Sequence, residues 1–309
     1  MPGWLRVVVS LLLVAALAFY VDLGQVGRIL ASSRPDLVVC LVALATSLRL
    51  LSAYRWFVLL RTGRPDLSLM RIVRISFVSV FAGTFLPGGI GGEAVRIYGA
   101  ARASSDLALA FSSAVVERAF GLFALLVMVA TGLSLGPPGL PHVLRTWALA
   151  GLLGLAAGAW LMMAHRPRAR ITAWLSRWPI LAPVNNRLRK LYDRMDLFAG
   201  SSVLTSSFLL SFVLQFARVL AAFVAARALH VDVPFASLLV VVPAGMLVSS
   251  IPVSIGGLGL REGTMVSLLG MVGVAPAAGL ALSVLMLAAG FVSTLPGAIF
   301  LAQRRAHPT

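Results

Sequence analysis

Two stretches of this chain carry residue types suited to holding a phosphate. They read Pro87-Gly88-Gly89-Ile90-Gly91-Gly92-Glu93-Ala94-Val95-Arg96 and Pro252-Val253-Ser254-Ile255-Gly256-Gly257-Leu258-Gly259-Leu260-Arg261, and both fit P-x-x-I-G-G-x-x-x-R, 165 residues apart. Proline removes a backbone donor and stops an entering helix. The glycine pairs, and Gly259 in the second copy, permit positive φ and close backbone approach. A helix restarting after such a break turns free N–H groups and a positive dipole end toward an anion. Arg96 and Arg261 sit about one turn into the restarting helices, and guanidinium groups suit bidentate phosphate contact.

Further charge surrounds the motifs. Glu93 precedes Arg96 by three positions and can share its helix face, and Glu262 adjoins Arg261. Glu117 and Arg118 stand inside an apolar run, with Glu117 placed to pair with an arginine from a broken helix. Gln215 and Arg218 share a face of another run, and Arg49 and Arg55 lie in a third. A charge at the centre of a membrane helix costs about 2.5–3.5 kcal/mol on insertion scales, so such residues need partners or a wet cavity. Arg55 is expected to reach the cytoplasmic interface, and Arg49 is balanced between interface and cavity. The sequence holds no nucleophile motif, no Walker A loop and no paired carboxylates, so no catalytic residues are assigned. One cysteine, Cys40, and four scattered histidines give neither a disulfide nor a metal site, and no cofactor is expected.

The elements that must position these residues are membrane helices. The 309 residues are 60% hydrophobic and 12% charged, against about 25% charged in soluble domains, so polar surface is too scarce to cover a water-soluble globule. Runs near 7–23, 36–60, 107–133, 146–164, 204–229 and 279–302 each approach the roughly 20 residues a spanning helix needs. Arg6, the apolar run after it and Ala16-Leu17-Ala18 resemble a secretion signal, but the later spans favour an uncleaved first helix. Two further apolar regions, about 73–100 and 236–276, are broken in the middle by proline and glycine. The net charge of +16 lies in the connecting loops, where it faces anionic lipid; nucleic acid is not an expected partner. With the N-terminus cytoplasmic, sixteen basic loop residues fall inside and four outside, as the positive-inside rule requires. The count then makes both flanks of 73–100 internal and both flanks of 236–276 external. The two broken regions therefore enter from opposite faces and return, as in an inverted repeat whose discontinuous helices meet at the bilayer midplane. The basic loop 165–203, with Trp174 and Trp178, suits a helix lying in the interface. The expectation is one all-α, polytopic integral-membrane domain over residues 1–309, with about six full transmembrane helices plus two oppositely inserted re-entrant pairs. Both termini are expected to be cytoplasmic, in the cell (inner or plasma) membrane.

These residues resemble the integral-membrane, flippase-like domain of the lysylphosphatidylglycerol synthase/flippase family. The first broken motif, Ser113-Ala114-Val115-Val116-Glu117-Arg118, and Ile255-Gly256-Gly257-Leu258-Gly259-Leu260-Arg261-Glu262 are similar to its P-x-x-x-G-E-x-x-R, v-x-E-R and G-G-x-G-x-R-E patterns. The additional pair Gly91-Gly92 before Glu93 departs from the first pattern. The resemblance covers nearly the whole chain. It implies movement of a charged phospholipid or polyprenyl-linked lipid between leaflets. Bifunctional members carry a soluble aminoacyl-transferase domain after the membrane part; this chain, reaching Thr309 just after its last span, is expected to lack it. The substrate-binding set is then Arg96, Arg261, Glu93, Glu262, Glu117, Arg118, Gln215 and Arg218, with the arginines on phosphate in a midplane cavity. The alternatives are a membrane transferase using Glu93 or Glu117 on a lipid-linked substrate, or a non-catalytic partner of cell-envelope lipid or glycolipid synthesis. A separately encoded lipid-modifying enzyme is a candidate partner.

Overall fold

A computed structural model describes residues 3–85, 91–136, 139–140, 143–163, 165–198, 202–251, 253–254 and 257–306. Among these the regular elements are helices, with no strand. Helix α1 (Gly3–Tyr20) turns by 84° into α2 (Leu23–Ala31). The expected first span, 7–23, therefore ends early. Asp22 is the reason: its carboxylate accepts a hydrogen bond from the Gln25 N–H at 3.0 Å and caps a new, amphipathic helix. Helix α3 (Pro35–Gly63) starts with proline at its first position, where a missing N–H is harmless.

The first broken region forms α4 (Leu69–Phe85) and α5 (Gly91–Ser104). A Cβ on Gly83 would lie 2.9 Å from the Gly92 Cα, and one on Gly99 would lie 2.8 Å from the Ile75 Cγ2. Contacts that climb one helix while descending the other define an antiparallel hairpin. Helix α6 (Leu107–Ser134) follows, its N-terminus capped by Asp106 through the Leu109 N–H at 2.9 Å. After α7 (Val143–Met163), the basic loop folds into α8 (His165–Ser176), a single 3-10 turn and α9 (Ala182–Asp196). Helices α8 and α9 are tied by an Arg168–Asp196 ion pair, and Arg194 reaches Asp106 at 2.7 Å. Trp174 and Trp178 are exposed.

Helix α10 (Ser202–Ala228) precedes the second broken region, α11 (Phe235–Ser249) and α12 (Leu260–Met271). This too is an antiparallel hairpin: Gly257 meets Ser249, and Gly245 meets Arg261. The chain continues in α13 (Pro276–Val292) and α14 (Pro296–Ala306), so the expected helix over 279–302 is interrupted before Pro296. Gly297 seats α14 directly on the backbone of α4 at Phe77.

Among the described residues four helical stretches, Pro35–Gly63, Leu107–Ser134, Ser202–Ala228 and Pro276–Gln303, are long and apolar enough to cross a membrane, and the bent α1–α2 pair makes a fifth candidate. The expected count of six is not confirmed among the described residues. In α7 the qualifying apolar stretch is the shorter Val143–Gly158. Helix α3 runs antiparallel to α10, since Arg34 N–H donates to the Ala228 carbonyl at 2.8 Å while Arg55 meets Ser211. It also runs antiparallel to α6, through the pairs Trp56–Ser113 and Arg55–Glu117. Helices α6 and α10 run parallel, with Phe120 against Phe208 and Phe123 against Phe212. These are the relative directions that the charge count requires. Two apolar clusters close the bundle. One is centred on α10, α11, α12 and α13; the other joins α3, α5, α6 and α9 around Trp56 and Phe198.

Candidate functional site

Between the two hairpins lies a cavity of about 620 Å³, within the roughly 300–1,000 Å³ range of small-molecule sites. Helix α3 contributes Arg49 and Ser52 to its wall, α4 contributes Ser76 and Ser79, and α5 contributes Glu93 and Arg96. Arg218 enters from α10, Arg261 from α12 and Ser293 from the end of α13. Arg96 and Arg261, from the two repeated motifs, thus open onto one space. Four arginines and one glutamate line it. A second cavity of about 640 Å³, bounded by Tyr20, Ser267 and Gly270, has no charged side chain in its lining.

Arg96 is the most firmly held of the four. Its guanidinium donates to Glu117 Oε2, lies 3.9 Å from Glu93 Oε1 and stacks 4.0 Å from the ring centre of Trp56. Trp56 is fixed in turn by donating its indole N–H to Ser113 Oγ at 3.0 Å. Glu117, 3% exposed, also accepts from Arg55 at 2.6 Å, and Arg55 donates to Ser211 Oγ at 2.7 Å. The expected pairing of Glu117 with a broken-helix arginine is present. The expected place of Arg55 is not: it is buried rather than at an interface, because Glu117 offers it a carboxylate inside the bundle. Trp56 and Ser211 were not singled out from sequence, and Arg55 was not read as part of the site.

The remaining residues divide by position. Arg118 is more than half exposed and reaches back to Glu93 at 3.2 Å, outside the cavity lining. Gln215 donates to the Gly121 carbonyl at 3.2 Å and accepts from Arg218 at 2.8 Å, so it braces Arg218. Arg49 donates to Ser293 Oγ and to the Gly290 carbonyl. Its alignment with Ser52, three positions on, was the available sequence signal for a polar face on α3. A similar stripe, Ser76, Ser79 and Gly83, runs along α4.

Glu262 does two things at the start of α12. It accepts from Arg261 at 2.8 Å, and its other oxygen accepts the Gly259 N–H at 2.7 Å. Gly257 and Gly259 have φ of +79° and +82°, which glycine adopts without strain. Gly91 and Gly92 begin α5, and Gly92 packs against Ser79 and Gly83. Pro87, Gly88, Gly89, Pro252 and Gly256 lie outside the described residues. Hydrogen bonds to charged groups contribute about 1.5–3 kcal/mol each. Glu262→Ala is accordingly expected to lower stability by about 1–3 kcal/mol, read as a lower melting temperature in detergent. Glu262→Gln, which can still accept the Gly259 N–H, should lose less; equal losses would contradict the capping role.

Among the described residues no cluster of three or more metal-ligating side chains occurs. The arrangement sets four guanidinium groups around a space of small-molecule size, and such groups can hold an anion.

A family model described as the lysylphosphatidylglycerol synthase TM region matches residues 3–297. Two proteins of Methanothermobacter thermautotrophicus, each named a UPF0104 membrane protein, are similar over most of their length. One is 26% identical over 321 residues, covering 95% of this chain and 92% of the relative. The other is 21% identical over 308 residues, covering 91% and 89%.

Proposed function

This multi-pass chain belongs to the family of the lysylphosphatidylglycerol synthase transmembrane region, and on that premise we propose that it is a flippase-like protein that moves a phospholipid or polyprenyl-linked lipid between leaflets of the cell membrane. The headgroup occupies the arginine-lined cavity, Arg96 and Arg261 hold its phosphate, and the acyl chains stay in the bilayer. The observation that carries this reading is the opening of Arg96 and Arg261, from two hairpins 165 residues apart, onto one cavity. Glu93, Glu117 and Glu262 orient the arginines, and Gln215 steadies Arg218.

The pattern of helix contacts supports an inverted repeat. Helix α3 touches α4, α4 pairs with α5, and α5 touches α6; likewise α10 touches α11, α11 pairs with α12, and α12 touches α13. The contact of α6 with α11 has its counterpart in the contact of α14 with α4, where α13 and α14 together stand for α6. The antiparallel crossing of α3 and α10 is the relation that two inverted halves need. In this reading the whole chain is one membrane domain, both termini are cytoplasmic, α8 and α9 lie at the inner interface, and a separately encoded lipid-modifying enzyme supplies the substrate. A transferase reading has less support, because Glu117 is held between two arginines and leaves Glu93 as the carboxylate lining the cavity.

Reconstituted into liposomes, the wild type should expose a labelled headgroup on the opposite leaflet faster than empty liposomes do. Arg96→Ala/Arg261→Ala should fall to the empty-liposome rate. A wild type no faster than empty liposomes, or a double variant as fast as wild type, would falsify the transport reading.

A further inference from the structure

The charges around the cavity do not balance. Arg96 is met by Glu117 and Glu93, Arg55 by Glu117, and Arg261 by Glu262. Arg49 and Arg218 form no direct ion pair among the described residues. Arg49 donates to a hydroxyl and a carbonyl, and Arg218 to an amide oxygen. Setting aside Arg118, which shares Glu93 but is more than half exposed to solvent, five arginines (Arg49, Arg55, Arg96, Arg218 and Arg261) thus stand against three glutamates (Glu93, Glu117 and Glu262), an excess of two positive charges. Arg49 and Arg218 are partly buried, where an uncompensated charge is costly. They sit on α3 and α10, the two crossing helices, and face the same cavity.

We infer that Arg49 and Arg218 complete a site for a dianionic phosphate group, a phosphomonoester or diphosphate, rather than for a phosphodiester carrying one charge or a cationic headgroup. Two excess positive charges match two negative ones. A cationic headgroup meets like charge from α3, α5, α10 and α12, with Glu93 the one carboxylate in the lining. The inference deepens the transport reading, taking from it that the cavity admits a headgroup, but binding alone tests it. Intact dianion binding without transport sinks only the flippase reading.

The test uses the full chain in nanodiscs of zwitterionic lipid, with binding read by native mass spectrometry and by shift of melting temperature. The probes are short-chain phosphatidic acid, short-chain phosphatidylglycerol and inorganic phosphate. Phosphatidic acid should bind at least about tenfold more tightly than phosphatidylglycerol at about pH 8 and lose that advantage at about pH 5, because a phosphomonoester gains its second charge near pH 6 while arginine stays protonated. Arg49→Gln/Arg218→Gln should abolish the preference, and the exposed Arg145→Gln should keep it. If the glutamine pair does not fold, Arg49→Lys/Arg218→Lys, which keeps charge and loses the bidentate fork, should weaken phosphatidic acid binding without reversing the order. Tighter binding of phosphatidic acid than of inorganic phosphate assigns the site to a lipid headgroup, and the reverse order assigns it to a free anion; both support a dianion site. Equal affinity for phosphatidic acid and phosphatidylglycerol in the wild type, a preference untouched by Arg49→Gln/Arg218→Gln, or, where that pair does not fold, phosphatidic acid binding unweakened in Arg49→Lys/Arg218→Lys, overturns it.

Discussion

Glu117→Ala should cost the fold about 3–5 kcal/mol, the loss typical when one member of a buried ion pair is removed. Glu117 is 3% exposed and joins α3 to α5 through Arg55 and Arg96. Its removal leaves the buried Arg55 without a counter-charge and Arg96 with only Glu93, at 3.9 Å. The effect should exceed that of Arg118→Ala, whose exposed pair with Glu93 contributes under about 1 kcal/mol. Chemical or thermal unfolding in detergent reads both. Similar midpoints for the two variants would show that Glu117 does not hold the bundle together. Because Arg96 also lines the cavity, Glu117→Ala should impair headgroup binding as well as stability.

Gly92→Leu should be the next most damaging single change, at about 1–3 kcal/mol for overpacking a close contact. A Cβ on Gly92 would lie 2.9 Å from the Ser79 carbonyl oxygen and 3.1 Å from the Gly83 Cα. Both are backbone atoms, so relief requires α4 and α5 to separate, which carries Glu93 and Arg96 away from α3 and α6. Phosphate binding should therefore fall along with the melting temperature. Gly154 on α7 is the control. A Cβ there meets nothing within 4 Å, and replacing an open helical glycine by alanine gains roughly 0.5–1 kcal/mol. If Gly92→Leu melts like wild type, the tight crossing of α4 and α5 is not what positions Arg96.

Much of the architecture was legible in the chain. The apolar runs over 36–60, 107–133 and 204–229 became α3, α6 and α10 with small changes at their ends, because a length near 20 apolar residues admits few alternatives in a bilayer. Both broken regions became hairpins for a comparably local reason, since proline and paired glycine interrupt a helix wherever they stand. The bend after Tyr20 and the interruption before Pro296 were not read, although Asp22 and Pro296 mark them. An apolar window averages over a single capping or breaking residue.

The sequence by itself determined that arginines would follow two similar helix breaks, and that Glu93, Glu117 and Glu262 would lie close to arginines along the chain. Which carboxylate serves which arginine was decided only by tertiary structure. Successive residues on a helix point about 100° apart, so Glu117 and Arg118, adjacent in sequence, face opposite surroundings. Glu117 turns into the bundle and meets Arg55, 62 residues away, and Arg96, 21 residues away. Arg118 turns outward to Glu93. Only the crossing of α3, α5 and α6 sets those distances, and it places Arg55 in the interior, where sequence had put it at the interface. The same crossings leave Arg49 and Arg218 at the cavity without a direct ion pair among the described residues.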